Sequence, residues 1–384
     1  MEIIITKYFE RKYRFTKFKL TKLRSQRTVY IPTIRDRLVL EFLNKRLIEK
    51  FKVKFPNRDD ITYSIIQKLS EQLDYYVIRL DIKNFFNTIP QNRLLQKLKD
   101  SSLLSSEEYH LVKECLKLIP SGVPQGISIS NTLADIFLEG FDYQVKRIHP
   151  SISLYSRYVD DILILINGDM SSKEINKLQD KINNIFKFYG LNKNEIKEKQ
   201  TSFSKKSTTD QFDYLGYSYS SKDNKLYLSV SSDKYRKIIK KIDFCYRDYQ
   251  INQNFNLLEE RLNFLTSKII MTRIKDKKCF FSFGISESYK RINEEEWEKL
   301  NKYLKAKLLS NRKMGYFSRK EFRSLFIKIF VRKGNKVKFI KMYSYSKNDY
   351  IQKIRYINNN ITYQSLLSKS LFELTGLYFK LIKI

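Results

Sequence analysis

A chain of 384 residues is too long for one small domain and implies two or three packed subdomains. A hydrophobic share of 42% with 27 Phe and 27 Tyr is ample for a buried core, which argues against wholesale disorder. Lys and Arg number 74 against 41 Asp and Glu, and a net charge of +33 points to a polyanionic partner, nucleic acid first of all.

In chain order, residues 7–27 form a dense basic and aromatic stretch, KYFERKYRFTKFKLTKLRSQR. TVYIP predicts a short strand, and IRDRLVLEFLNKRLIEKF a helix with Leu38, Phe42 and Leu47 on its apolar side. YYVIRLDI (75–82) is rich in aromatic and β-branched residues and reads as a buried strand ending at Asp81. Helices are expected over 91–99 and 106–118. SGVPQG is a Gly/Pro turn leading into SISNTLADIFLEGFDYQVKRI, a helix opened by Ser/Asn capping with Leu133, Ile136 and Phe137 facing inward. SLYSRYVDDILILI reads as two strands folded back at Val159–Asp161, and a helix starting near Ser172 closes at IFKFYG. DYLGYSYS and KLYLSV, separated by SKDN, predict a hairpin. From Ser232 to about residue 310 the pattern is mainly helical with Lys-rich faces, and the remainder is mixed, basic and Tyr-rich.

Cys115, Cys245 and Cys279 lie far apart without a CxxC pair, so they fit neither a disulfide framework nor a zinc site and read as small core residues in a reducing compartment. His110 and His149 stand in no motif, which argues against His-based acid–base chemistry, a Ser-His-Asp triad and an HNH nuclease. The opening MEIIITKYFERKYRF is not a signal peptide and no run of eighteen apolar residues occurs, so a soluble cytoplasmic protein with no membrane partner is expected.

One set of residues carries chemistry. Joining nucleotides is an in-line attack of a 3′-hydroxyl on an α-phosphate, helped by two divalent ions that the protein must hold with converging carboxylates. Asp81 at the end of one buried strand, and Asp160 with Asp161 at a tight turn between two others, meet that demand. Adjacent carboxylates among apolar residues are costly unless a cation offsets their repulsion. Singly, each piece is bland: DD is often a solvated turn, Asp81 alone a cap, VPQG a loop. The order Asp81, Gln125, Asp160–Asp161, with strand, helix and hairpin between, is not.

Those segments resemble the polymerase motifs of reverse transcriptases. RLDIKNFFNTI is similar to motif A, SGVPQGISISNTLADIFL to motif B, YSRYVDDILILI to motif C, LNKNEIKEKQTSF to motif D and FDYLGYSYS to motif E, the primer grip. RTVYIPTIRDRLVLEFL resembles the fingers segment of bacterial and group II intron enzymes, so the likeness covers roughly residues 20–230. It implies an α+β right-hand polymerase: fingers over 1–75, a palm with an antiparallel sheet over 76–230, a helical thumb over 231–310, and a tail of unknown role over 311–384. Asp81, Asp160 and Asp161 would be the catalytic carboxylates and, with Ile82, the metal set for two Mg²⁺ ions, Mn²⁺ being an alternative. Phe86 would be the steric gate that excludes a ribose 2′-hydroxyl. Gln125 and Gly126 would line nucleotide and template, Arg27 would hold the triphosphate with Lys22 and Arg24 as helpers, and Lys199 would stand where motif D carries its proton donor. Motif D usually ends in Lys-Thr and here reads Lys199-Gln200-Thr201. Leu215, Gly216 and Tyr217 would position the primer end.

The resemblance also implies RNA-directed DNA synthesis from dNTPs on an RNA template. The VTG signature of retron enzymes is absent, the matching stretch reading LYLSVSSDKYRKI, and no zinc, HNH or RNase H signature follows. GISISNTLADIFLEGFD instead looks like the abortive-infection and "unknown group" enzymes of antiphage defence, some of which pair two reverse transcriptases with a non-coding RNA. A second such subunit or a homo-oligomer is therefore expected as a partner. Six tail tyrosines (Tyr343, Tyr345, Tyr350, Tyr356, Tyr363, Tyr378) raise a further option, a protein hydroxyl as primer, against aromatic packing and RNA stacking. The competing readings are a maturase-like RNA-binding protein without catalysis and a scaffold subunit.

Overall fold

The computed structural model describes residue 6 and residues 8–22, 27–71, 73–273 and 276–383, the side chains of 273 and 276–279 excepted. The chain divides into two compact units, one of residues 1–211 with 221–226 and one of 212–220 with 227–384.

In the first unit, β1 (Lys19–Lys22) and β2 (Thr28–Ile31) form an antiparallel ribbon, followed by α1 (Ile34–Phe51), α2 (Arg58–Ser70) and β3 (Tyr75–Asp81). The short α3 (Phe85–Thr88), α4 (Gln91–Asp100), α5 (Ser106–Leu116) and α6 (Ser130–Val145) come next. β4 (Ile152–Tyr158), β5 (Asp161–Asn167), α7 (Ser172–Tyr189) and β6 (Lys199–Phe203) complete it. The four longer-range strands build one antiparallel sheet in the order β4–β5–β3–β6. β3 and β5 are the inner strands, and the run Ile162–Ile166 is buried throughout, as a strand covered on both faces must be. Leu133, Ile136 and Phe137 of α6 are buried as expected and share a core with Leu178, Ile182 and Phe186 of α7.

Two local expectations are corrected. Leu38 and Phe42 are 52% and 48% exposed, and the inner face of α1 is Val39, Leu40, Leu43 and Leu47. The helix is rotated because Asp36, fully buried, is pinned by Tyr13, Thr33 and the Thr16 N–H. Ser130 does not cap α6 either; Ile129 holds the cap position, and the Ser130 hydroxyl donates back to the carbonyls of Pro124 and Ile127.

The second unit takes in most of the sheet β7 (Gln211–Tyr214), β8 (Tyr217–Lys222) and β9 (Lys225–Val230), whose β8–β9 turn counts with the first unit. Asp223 and Asn224 both take positive φ (53° and 56°), the backbone a two-residue hairpin turn demands. α8 (Ser232–Asn252) and α9 (Phe255–Thr266) follow, then a strand pair, β10 (Lys268–Arg273) and β11 (Asp276–Phe283). That pair interrupts the mainly helical stretch expected to residue 310. After α10 (Ile285–Ser288), α11 (Glu294–Lys313) and α12 (Arg319–Lys328) come the short β12 (Arg332–Lys333), β13 (Lys336–Val337) and β14 (Phe339–Lys341). β14 pairs in parallel with β10, which also pairs antiparallel with β11. The chain ends in α13 (Lys347–Ile357), α14 (Tyr363–Leu367) and α15 (Leu371–Leu381), which pack with Ile269 and Ile340 in one core. Of the tail tyrosines, Tyr350 and Tyr378 are buried there, and the Tyr378 hydroxyl donates to Glu260 at 2.6 Å. Tyr343 and Tyr363 are exposed. Cys115 and Cys245 are free and buried as expected, and burial pushes both thiols up; the Cys279 side chain lies outside the described residues. Among the described residues no helix is long and apolar enough to cross a membrane.

Candidate active site

Asp81 is the last residue of β3 and lies directly across the ladder from Asp161, the first residue of β5. The pairing follows from the apolar pattern: with Tyr76, Ile78 and Leu80 inward on one face, Arg79 and Asp81 must share the other. Asp160 sits in the turn before β5, after Val159 at φ +62°, and its carbonyl accepts from the Ile82 N–H at 3.0 Å. The two strand ends therefore bring Asp81, Asp160 and Asp161 to one edge of the sheet. Ile82 is buried at that edge.

Each outer carboxylate has a basic partner. Arg79 donates to Asp161 through Nε at 3.0 Å and a terminal nitrogen at 2.9 Å, a bidentate pair. Asp81, 4% exposed, accepts from Lys197 Nζ at 2.7 Å and Asn194 Nδ2 at 2.9 Å, while its carbonyl accepts from the Asn194 N–H at 2.8 Å. Asp160 has its acidity weakened first by burial, then by the charges of Asp81 and Asp161, against relief from its own backbone and Lys197. Burial likewise pushes Asp161 up, and Arg79 opposes it. Among the described residues no group of three or more Asp, Glu, His or Cys side chains is gathered closely enough to hold a metal ion; two of the three carboxylates are turned onto cations of the protein. The donor set nevertheless fits a hard divalent ion: carboxylate oxygens only, two of the carboxylates with acidity weakened first by burial and then by the neighbouring carboxylates.

The hairpin carrying Asp160 is tied to α6 by Arg157, whose guanidinium donates to Asp142 and Asp135 at 2.7 Å and to the Val159 carbonyl at 3.2 Å. Phe86 is half-buried in α3, its ring 5.1 Å from that of Phe85. Its carbonyl accepts from the Val123 N–H at 2.7 Å, which docks the SGVPQG loop onto α3. The same loop meets β2, where the Tyr30 N–H donates to the Gln125 carbonyl at 2.7 Å. Gly126, at φ +94°, leaves 3.0 Å between a would-be Cβ and Val29. Lys22 and Arg27 are exposed at the connected end of the β1–β2 ribbon, where Lys22 pairs with Thr28, and Arg24 lies outside the described residues.

Lys199 opens β6 opposite Arg79 and is exposed; the lysine that reaches Asp81 is Lys197. In the second unit, Leu215 (φ +47°) and Gly216 (φ +82°) make the β7–β8 turn. Tyr217 is buried, donates to the Ser288 carbonyl at 3.1 Å and meets the Tyr289 ring at 5.7 Å. Sequence reasoning missed Arg79, Asn194, Lys197, Gly122 and Arg157. The two-residue spacing of Arg79 and Asp81 could have shown the first; nothing periodic marks Lys197.

The family model described as "Reverse transcriptase (RNA-dependent DNA polymerase)" matches residues 17–219, more than half of the chain. The chain belongs to the reverse transcriptase family. Its fold is that of an α+β right-hand polymerase, and the matched residues contain all three carboxylates. A retron Se72 reverse transcriptase from Salmonella heidelberg (strain 579083-10) is 26% identical over 237 residues. That alignment takes in 58% of this reverse transcriptase and 61% of the retron protein, so the chain spans under two thirds of the relative's length. Among solved structures, telomerase from Candida albicans in complex with a TWJ fragment of telomeric RNA is similar at 14% identity and a TM-score of 0.41, over 99% of this chain and 65% of that one. Apo telomerase from Candida tropicalis is similar at 13% identity and a TM-score of 0.44, over 96% and 66%.

Proposed function

We propose that this reverse transcriptase is an active RNA-directed DNA polymerase that makes cDNA on a dedicated non-coding RNA, and that it works in the cytoplasm in antiphage defence. The observation that carries the reading is the meeting of Asp81 with Asp160 and Asp161 at paired strand ends inside the family-matched region. Asp81, Asp160 and Asp161 would hold two Mg²⁺ ions, with Ile82 at the same edge and Mn²⁺ as an alternative. When bound, the ions supply activation of the primer hydroxyl and neutralisation of the leaving pyrophosphate. Phe86 excludes a 2′-hydroxyl by filling its space, Gln125 and Gly126 line nucleotide and template, and Arg27 with Lys22 receives the triphosphate from the ribbon. Lys199 protonates the leaving group. Leu215, Gly216 and Tyr217 set the primer end. The division into fingers (1–75), palm (76–230), thumb (231–310) and tail (311–384) belongs to the same reading. The net charge of +33 supports RNA as template and partner. A second reverse transcriptase subunit or another copy of the chain completes the assembly, and Tyr343, Tyr356 or Tyr363, the exposed tail tyrosines, supplies the hydroxyl if the protein itself primes.

Primer extension by the purified chain with Mg²⁺, an RNA template and dNTPs tests the activity, with the Asp160→Asn/Asp161→Asn protein as control. Extension by the wild type alone supports it. The occupation of Asp161 and Asp81 by Arg79 and Lys197 favours a second reading, an RNA-binding subunit without catalysis. RNA binding by both proteins with extension by neither would establish that one.

A further inference from the structure

The acidic edge of the sheet already contains its own cations. Asp161 is gripped by both arms of the Arg79 guanidinium, at 3.0 and 2.9 Å, and Asp81 by the Lys197 ammonium at 2.7 Å. The Arg79 and Asp161 side chains are 21% and 19% exposed, so the pair is shielded from solvent to a degree that surface pairs are not. Arg79 is rigidly presented, because it comes from β3 itself, two residues before Asp81 and on the same face. Lys197 comes from the loop after α7, and Asn194 of that loop clamps both the backbone and the side chain of Asp81. Asp160 faces the charges of both neighbouring carboxylates, with Lys197 opposing them.

Three carboxylates at the end of two strands would repel one another and open the edge if nothing neutralised them. A divalent ion can do that only when it is present. Arg79 and Lys197 belong to the chain, and they engage oxygens of the same carboxylates when no ion is bound. We propose that Arg79 and Lys197 are intrinsic counter-ions of the acidic centre, holding it assembled without metal and competing with divalent ions for Asp161 and Asp81. Both are positioning residues under this proposal, since they act on the carboxylates rather than on substrate. The proposal rests on the reading that this centre takes divalent ions, and it gives that reading a regulatory consequence: loading exchanges protein cations for metal, so the centre fills only at higher ion concentration than three free carboxylates would need.

The test is Mn²⁺ binding by the full chain without nucleic acid, read from the free-Mn²⁺ electron paramagnetic resonance signal, with thermal unfolding at and without saturating Mn²⁺. Arg79→Gln is expected to tighten Mn²⁺ binding roughly three- to tenfold, the scale of losing a charge-assisted bidentate competitor that is partly screened. It is also expected to lower the unfolding temperature without metal and to gain more from Mn²⁺ than the wild type does. Arg79→Lys, which keeps the charge and loses the fork, falls between them. Lys197→Gln tightens binding less, its side chain being 49% exposed, and it carries the test if Arg79→Gln fails to fold. Unchanged or weaker Mn²⁺ binding in folded Arg79→Gln and Lys197→Gln overturns the proposal and makes the two residues aligners of the carboxylates. Mn²⁺ binding absent from the wild type and all variants overturns the metal reading of the site as well.

Discussion

Gly122 lies so close to Phe86 that a Cβ built on it would stand 2.1 Å from the Phe86 carbonyl oxygen and 2.5 Å from the Asn87 Cα. Its φ of +69° is a second reason that a side chain is excluded. The loop between α5 and α6 thus fixes the backbone of α3, and with it the ring of Phe86. Gly122→Ala is predicted to cost at least about 2 kcal/mol, from strained backbone plus enforced separation of loop and helix. Chemical denaturation measures the cost. The same variant should lose discrimination between dNTP and rNTP, because the Phe86 ring moves with its backbone.

Phe86 itself gives a sharper expectation. Phe86→Val removes the ring and leaves a smaller apolar side chain. Selection of dNTP over rNTP, read as a ratio of kcat/KM values, should fall roughly 10- to 100-fold, the worth of about 1–3 kcal/mol of steric rejection. Extension with dNTPs should persist, so a total loss of synthesis would mean that Phe86 is a packing residue.

Arg157 is the strut of the hairpin. Its side chain is 10% exposed and bonded to Asp135 and Asp142 of α6. Burial works against its charge, and the Asp142 carboxylate more than compensates, so its proton is held more tightly than usual. Arg157→Ala leaves two carboxylates without their cation and is predicted to destabilise the chain by about 3–5 kcal/mol. Replacement by Lys should recover only part of this, since one ammonium cannot span both acids.

Asp36 predicts a pH signature. Burial raises its pKa, but hydrogen bonds from Tyr13, Thr33, the Thr16 N–H and Arg35 outweigh burial, and the net shift is below the ordinary 3.8. A depressed carboxylate contributes stability that is fully present above the unfolded value and is lost as pH falls through the folded one. The gap in unfolding temperature between wild type and Asp36→Asn should therefore be constant from neutral pH down to about pH 5 and should shrink below about pH 4. A gap that widened on acidification would contradict the assignment.

What was legible in the sequence was what local pattern controls. The aromatic and β-branched residues of YYVIRLDI and the apolar run after Asp161 marked two strands, and the turn residues Gly190, Asp223 and Asn224 marked where a helix and a hairpin end. The facing of α1 was misread because it depends on Asp36, a charged residue whose partners, Tyr13 and Thr16, lie about twenty residues away. The strand pair β10–β11 was missed for a similar reason: β10 is completed by β14, far along the chain. At the site, the acids were visible by type and order. Their cations were not, since Lys197 lies in a Lys-rich loop where nothing local separates it from Lys193 or Lys199.

The central claim is RNA-templated DNA synthesis by this chain, and the most direct measurement is sequencing of the nucleic acid that copurifies with the wild type and with the Asp160→Asn/Asp161→Asn protein. One RNA species is expected in both preparations, with DNA complementary to it in the wild type alone. RNA in both preparations without complementary DNA in either would contradict the claim.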